Sequence, residues 1–118
     1  MIRKPELYIK DILEAIELIE RFMNGVSKEH FSKDKEKQYA VVRAIEIIGE
    51  ATKQLASHFK KKYPKIEWKG IAGMRDIIVH AYFNVNLEKV WYAVKEEIPK
   101  LKKQILEILE AETKKKKQ

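Results

Sequence analysis

The chain contains no cysteine, so it can form no disulfide bond and offers no thiolate for nucleophilic chemistry or metal binding. It also lacks any run of about 18 apolar residues, the length that a membrane-spanning helix needs. Its N-terminus lacks the uninterrupted apolar core of a secretory signal peptide. These absences predict a soluble protein, and the lack of cysteine suits a reducing cytoplasm.

The length and the charge indicate one small domain with an affinity for polyanions. A chain of 118 residues is long enough for a single core. Its 25 Lys and Arg against 18 Asp and Glu give a net charge of +7, which favours RNA through counterion release. Lys114 to Lys117 supply four of these charges, which leaves +3 for the folded part. We therefore expect one helical domain over residues 1–112 and a disordered, Lys-rich tail over 113–118.

Apolar residues recur at helical spacing through most of the chain, and no segment alternates as a strand would. The first predicted helix covers residues 6–24, and residues 25–33 are predicted as a loop. The second helix covers 35–62, with Asp34 as its N-cap and Gly49 at a position that would permit a close helix crossing. Its main apolar stripe consists of Val41, Ile45, Ile48, Thr52, Leu55 and Phe59.

Pro64 prevents the second helix from continuing and separates it from a shorter helix over residues 68–82. A turn follows, and Asn86 is the expected N-cap of the last helix. That helix should kink at Pro99, because proline cannot donate a hydrogen bond to the carbonyl of Lys95. Together the helices predict an all-α, antiparallel, up-and-down four-helix bundle with one short helix.

The short helix carries a cluster of charged and polar side chains. At about 100° per residue, one side holds Met74, Ile77, Ile78 and Ala81, and the other holds Arg75, Asp76, Val79, His80 and Tyr82. Asp76 and His80 are one turn apart and can touch. Arg75 and His80 diverge by roughly 140°, so a single copy does not close a tight pocket between them. A second copy of the chain could complete it.

The pattern Arg75-x4-His80-x-Tyr82, with a polar residue directly after the arginine, resembles the signature of the HEPN superfamily. The best match is its HepT-like branch of small prokaryotic ribonuclease toxins. Two further stretches carry the same resemblance, namely Tyr39–Ala51 and the approach Trp68–Arg75. Together they extend the resemblance over nearly the whole chain.

The resemblance implies a HEPN-type bundle that acts as a homodimeric, metal-independent endoribonuclease, with two motif helices meeting in one cleft. Arg75 would bind the phosphate, since its planar fork matches phosphate oxygens. His80 would transfer protons at neutral pH, and Asp76 would orient His80 or hold Arg75. The family often has Asn where this chain has Asp76, and a carboxylate there opposes RNA binding. Arg43, in the family-like part of the second helix, is a candidate supporting residue.

The resemblance also implies a partner. In HepT-like toxins the tyrosine of the motif, here Tyr82, receives AMP from a minimal nucleotidyltransferase antitoxin, with which the homodimer can form a larger complex. Added phosphates would occupy the anion site and repel RNA. The expected substrate is RNA, either tRNA or mRNA. We expect no cofactor and no metal, because the three His lie far apart in sequence and no H-E-x-x-H pair occurs.

Two other functions stay open from the residues alone. The chain could be a non-catalytic subunit that binds a nucleotide or another substrate for a partner nucleotidyltransferase, or it could be a purely structural helical dimer. A lone His on a helix is most often a surface or packing residue, and Glu46 and Glu50 at i, i+4 spacing are typical of a solvated face. The Lys60–Lys62 run is most simply the solvated end of a helix, and Trp68 and Trp91 are expected in the core.

Overall fold

The computed structural model of the chain describes residues 3–116. Within this range the chain is helical and contains no β-strand, which confirms the all-α class. The elements are α1 (Pro5–Met23), α2 (Lys28–Lys33), α3 (Lys35–Gln54), α4 (Ser57–Lys61), α5 (Trp68–Phe83), α6 (Leu87–Tyr92), a π-helical turn (Ala93–Glu97) and α7 (Ile98–Lys116).

The core lies between α1, α3, α5 and α7. Helix α3 is central, because it packs against both α1 and α5, while α7 packs against α1. The predicted stripe of α3 faces this core, and the buried Leu55 and Phe59 extend it past the end of the helix. The largest fully buried side chains are Phe31, Phe59, Ile9, Ile12, Ile16, Ile19, Ile45, Ile48, Ile78, Ile98, Ile105 and Ile108.

Two predicted boundaries were wrong. The predicted loop 25–33 contains α2, a six-residue helix that is capped by the Ser27 hydroxyl and buries Phe31. The predicted helix 35–62 is broken at Leu55, whose backbone is extended, so that α4 is a separate helix. A physical reason lies one turn earlier: the Thr52 hydroxyl donates to the carbonyl of Ile48, a bond that competes with the helical ladder and bends helices.

The predicted helix caps are confirmed, and the end of the last helix differs. Asp34 accepts a hydrogen bond from the amide of Lys37, and Asn86 accepts one from the amide of Lys89. Before Pro99 the chain widens into a π-helical turn rather than a simple proline kink. Helix α7 continues to Lys116, beyond the predicted end of the domain at residue 112, and residues 117–118 of the predicted tail lie outside the described residues.

None of the helices in the described part of the chain combines the length and apolarity that crossing a bilayer requires.

Candidate active site

The predicted short helix, α5, crosses α3 at very close range. A Cβ atom built on Gly49 of α3 would lie 2.6 Å from the Cβ of Arg75 and 3.5 Å from the carbonyl oxygen of Ala72. No real side chain tolerates the first of these distances. The expectation that Gly49 permits a close crossing is confirmed, and the crossing occurs at the arginine of the motif.

Arg75 is held by two carboxylates at this crossing. Its Nη1 donates to Asp76 Oδ1 at 2.8 Å, and its Nη2 lies 3.5 Å from Glu46 Oε2 on α3. Its Nε is buried and has no hydrogen-bond partner among the described residues. The Asp76 hydrogen bond raises the pKa of the guanidinium above its ordinary value, and the charges of Asp76, Glu46 and Glu50 add to this effect. Arg75 is therefore a fixed cation at the protein surface.

Asp76 contacts Arg75, which is one of the two contacts that the sequence allowed. The hydrogen bond from Arg75 lowers the pKa of the Asp76 carboxyl, and the nearby Lys53 lowers it further. His80 instead lies beside Asn84, whose Nδ2 donates to the His80 carbonyl at 2.9 Å and lies 3.4 Å from His80 Nε2. The structure thus assigns Asp76 to the arginine and Asn84 to the histidine.

His80 is exposed on α5. Two large apolar side chains flank it: Ile77 is 55% exposed and Phe83 is 83% exposed. Ile77 lies on the apolar side of the helix together with Met74 and Ile78, and unlike these two it is exposed in the single chain. Arg75 faces α3 and His80 faces solvent, as their angular divergence on the helix implies.

Tyr82 lies at the end of α5, where its phenol is half-buried against the start of α3. Its hydroxyl donates to Gln38 Oε1 at 3.2 Å, and its ring meets the ring of Tyr39 edge to face, with centroids 5.8 Å apart. Gln38 is itself buried and donates to the carbonyl of Phe31 at 2.7 Å. Burial raises the pKa of the Tyr82 phenol, and Tyr39 raises it further. The phenol is therefore neutral and held in one direction.

Two residues of this region were missed or misassigned from the sequence. Glu46 was expected on a solvated face, but it reaches the motif arginine. Gln38 lies three residues before Val41 on the buried stripe of α3, and a polar residue at a core position was an available signal. Arg43, the candidate supporting residue, is exposed and lines a depression between α1 and α3 that contains Tyr8 and not Arg75.

The start of α5 is fixed by Trp68. Its indole Nε1 donates to the carbonyls of Lys60 and Tyr63, each at 3.1 Å, so it ties α5 to the end of α4. Trp91 packs against Phe31 at the other end of the site helix. Both tryptophans are partly buried against the core, as expected.

The profile of a family described as ribonuclease HepT-like matches residues 12–108, from α1 to the middle of α7, and includes the whole of α3 and α5. The chain belongs to this family. A protein named "Probable ribonuclease HepT" from Thermococcus cleftensis is 50% identical over 102 residues, which cover 86% of this chain and 93% of the relative.

A second relative extends the match along the chain. A protein named "Putative RNase" from Caldanaerobacter subterraneus subsp. tengcongensis is 44% identical over 110 residues, which cover 93% of this chain and 98% of the relative. No solved structure gave a significant match. The family assignment predicted from the motif on α5 is therefore confirmed by similarity across nearly the whole chain.

Proposed function

We propose that the protein is a metal-independent endoribonuclease that cuts RNA at a site built from Arg75 and His80. The observation that carries this proposal is the placement of these two side chains on α5 in a chain of the ribonuclease HepT-like family. Arg75 is a surface cation fixed by Glu46 and Asp76, and His80 is an exposed imidazole on the same helix. Because the proposed substrate is RNA, we expect the protein to act in the cytoplasm.

The chemistry that these groups support is transesterification at phosphorus. The ribose 2′-oxygen attacks the adjacent phosphorus and loses its proton to a base, while the bond from phosphorus to the 5′-oxygen breaks and an acid protonates that oxygen. A histidine side chain serves either role near neutral pH. The Arg75 guanidinium stabilises the extra negative charge of the pentacoordinate transition state, and its planar fork suits two phosphate oxygens.

A homodimer would bring the two halves of this chemistry together. In one chain the contacts of Arg75 lie toward α3, whereas His80 lies on the solvent face between Ile77 and Phe83. Apolar side chains of this size and exposure are typical of a surface that another molecule covers. A second copy packed on this face would bury Ile77 and Phe83 and let His80 of one protomer act together with Arg75 of its partner in one cleft.

Tyr82 would provide the control. In this proposal a partner nucleotidyltransferase transfers AMP to the Tyr82 hydroxyl, which attacks the α-phosphorus of ATP, displaces pyrophosphate and gives its proton to a base of the partner. The half-buried phenol would first have to leave Gln38, since its hydrogen is used in that bond. The added phosphate would neutralise nearby positive charge and repel RNA, as expected of an antitoxin.

The test is incubation of the purified protein with total RNA in the presence of EDTA. The native protein should cleave RNA, and a folded His80→Ala variant should lose roughly 10²-fold or more of the rate. His58→Ala is the matched control, because His58 is an exposed histidine on α4. Cleavage by folded His80→Ala protein at the rate of the native protein would end the ribonuclease proposal, and loss of cleavage in EDTA alone would end its metal-independent form.

A further inference from the structure

Two lysine-rich segments that are distant in sequence meet at one end of the bundle. The first surrounds the end of α4, where the carbonyl of Lys60 accepts a hydrogen bond from Trp68 at the start of α5, and the second is the last turns of α7. Their described side chains form a cluster that we call the lysine pole. It consists of Lys60, Lys61, Lys62, Lys65, Lys114 and Lys115.

A buried carboxylate joins the two segments. Glu112 of α7 is only 6% exposed and accepts a short hydrogen bond from the hydroxyl of Tyr63. Its two oxygens lie 3.6 Å from Lys62 Nζ and 3.5 Å from Lys115 Nζ. Burial raises the pKa of the Tyr63 phenol and the Glu112 carboxylate raises it further, so the tyrosine stays a donor. The lysine pole is thus assembled by specific contacts.

The lysine pole holds most of the excess charge of the protein. Segment 57–66 contains four Lys and no acidic residue, and segment 110–118 contains four Lys and two Glu. The two segments therefore supply six of the seven net positive charges, and the rest of the chain is close to neutral. A concentrated field of this kind attracts polyanions, whereas charges needed only for solubility would be spread over the surface.

The chemistry of the lysine pole fits a nucleic-acid backbone. All eight cations of the two segments are lysines, which bind phosphates as mobile point charges, and none is an arginine with the fork that reads bases or carboxylates. Lys61, Lys65 and Lys114 are exposed. The lysines are spread over two segments, beside the ends of α4 and α7, and this arrangement suits successive phosphates more than a single small anion.

The lysine pole is separated from the proposed cutting site by most of α5. Trp68 bonds to the carbonyl of Lys60, and His80 lies twelve residues further along the same helix. At 1.5 Å per residue this is about 18 Å, roughly five phosphates at the 3.4 Å axial spacing that one strand has within a duplex. An RNA chain bound at His80 can therefore reach the pole of the same protomer.

We infer that the lysine pole is a second RNA-binding surface, which holds the substrate backbone at a distance from the site that cuts it. This inference rests on the proposed ribonuclease function. It adds that the lysine pole provides most of the affinity for RNA. The pole supplies affinity without sequence preference, and the α5 site supplies the chemistry.

The experiment measures RNA binding in a His80→Ala background, so that the RNA stays intact. Lys60, Lys61, Lys65 and Lys114 are changed to Gln together, while Lys62 and Lys115 stay because they neutralise the buried Glu112. The control variant removes the same charge from exposed lysines elsewhere. It changes Lys10, Lys33, Lys100 and Lys103 to Gln.

Affinity for a labelled single-stranded RNA long enough to span both surfaces is measured by fluorescence anisotropy over a range of salt concentrations. Each phosphate contact contributes about 0.7 to the slope of log affinity against log salt for a single strand. The pole variant should lose up to about 3 of that slope and bind at least roughly tenfold more weakly at low salt. The control variant should keep the slope of the parent protein. A variant in which Lys60, Lys61, Lys65 and Lys114 are changed to Arg should keep it as well, because the charge is retained.

Equal slopes for the pole and control variants would overturn the inference. Unchanged RNA binding with lost binding to a partner nucleotidyltransferase would assign the surface to a protein and overturn it as well. Cleavage by the chain with intact His80 is measured separately. If the chain cleaves RNA but the pole and control variants have equal salt slopes, only this inference is contradicted. If RNA binds through the lysine pole but is not cleaved, only the ribonuclease function is contradicted. Absence of any RNA binding contradicts both.

Discussion

Gly49 and Arg75 are in contact along the line where α3 crosses α5, and a Cβ on Gly49 would lie 2.6 Å from the Cβ of Arg75. The absence of a side chain at Gly49 therefore sets the depth at which the motif arginine sits. Glu46, one turn earlier on α3, reaches the guanidinium from the same helix. One turn of α3 thus fixes both the backbone and the charged end of Arg75.

Gly49→Ala should destabilise the fold and lower ribonuclease activity. The added methyl group gains up to about 1 kcal/mol in helix propensity, but forcing α3 and α5 apart costs roughly 1–3 kcal/mol. Gly70→Ala is the control, because a Cβ there would make ordinary contact with Glu67 Cβ at 3.6 Å. Denaturant unfolding of both variants checks this. A Gly49→Ala protein at least as stable and active as the Gly70→Ala protein would show that the crossing is loose.

Glu46→Gln should reduce the rate of cleavage while leaving the fold intact. The guanidinium of Arg75 would lose the partner that holds its Nη2, and a misplaced group at a reacting phosphate costs roughly ten- to a hundredfold in rate. Glu50→Gln removes the same charge from a residue that acts on Arg75 only at longer range. Single-turnover cleavage should therefore fall more for Glu46→Gln than for Glu50→Gln, and equal rates in the two variants would remove Glu46 from the site.

The sequence predicted the motif helix and its arginine but not the residues that hold it. A glycine inside an apolar helix predicts a close crossing, yet it does not say which residue crosses there. Glu46 and Glu50 have the spacing of a solvated face, and only the packing of α5 onto α3 distinguishes them. Helical periodicity placed Ile77 on the apolar side of α5, but periodicity alone does not say whether an apolar residue is buried within its own chain.

The errors in secondary structure have local causes. The helix α2 has six residues and one buried side chain, which is too short for a periodic pattern to be recognised. The break between α3 and α4 was hidden because Leu55 and Phe59 continue the apolar spacing across it. The position of the break depends on hydrogen bonds such as that of Thr52, which spacing does not encode. The caps were predictable because Asp34 and Asn86 act on residues three positions away.

Tyr82→Phe should retain ribonuclease activity and escape control by a partner nucleotidyltransferase. The variant keeps the ring and its contact with Tyr39 but removes the oxygen that would accept AMP. It also leaves Gln38 Oε1 without its donor, at a cost of about 1 kcal/mol in stability. Tyr39→Phe is the control. Mass spectrometry after coexpression is the measurement, and AMP on the Tyr82→Phe protein, or none on the native protein, would place the control elsewhere.

The stability of the lysine pole should depend on pH through Glu112. Burial alone would raise the pKa of this carboxyl, but the hydrogen bond from Tyr63 and the charges of Lys62 and Lys115 outweigh it and hold the pKa below its ordinary value of 4.5. A carboxyl whose pKa is lower in the folded than in the unfolded protein stabilises the fold. This stabilisation is complete above the ordinary, unfolded-state pKa and is lost as the pH falls through the folded-state pKa.

The free energy of unfolding should therefore fall more steeply below about pH 4.5 in the native protein than in Glu112→Gln. Glu110→Gln is the control, because Glu110 is exposed and pairs with Lys114 one turn away. Urea unfolding at a series of pH values provides the measurement. Parallel pH profiles for the native and Glu112→Gln proteins would show that Glu112 does not titrate differently in the folded state.

The central claim is that Arg75 and His80 act together in a site shared between two copies of the chain. The most direct test mixes Arg75→Ala protein with His80→Ala protein, each folded and inactive alone, after partial denaturation and refolding to exchange protomers. The account predicts that ribonuclease activity returns in the mixture, because one cleft of a mixed dimer can hold the groups that each variant lacks. A mixture of dimers that stays inactive, or a native protein that is monomeric by light scattering while it cleaves RNA, would contradict it.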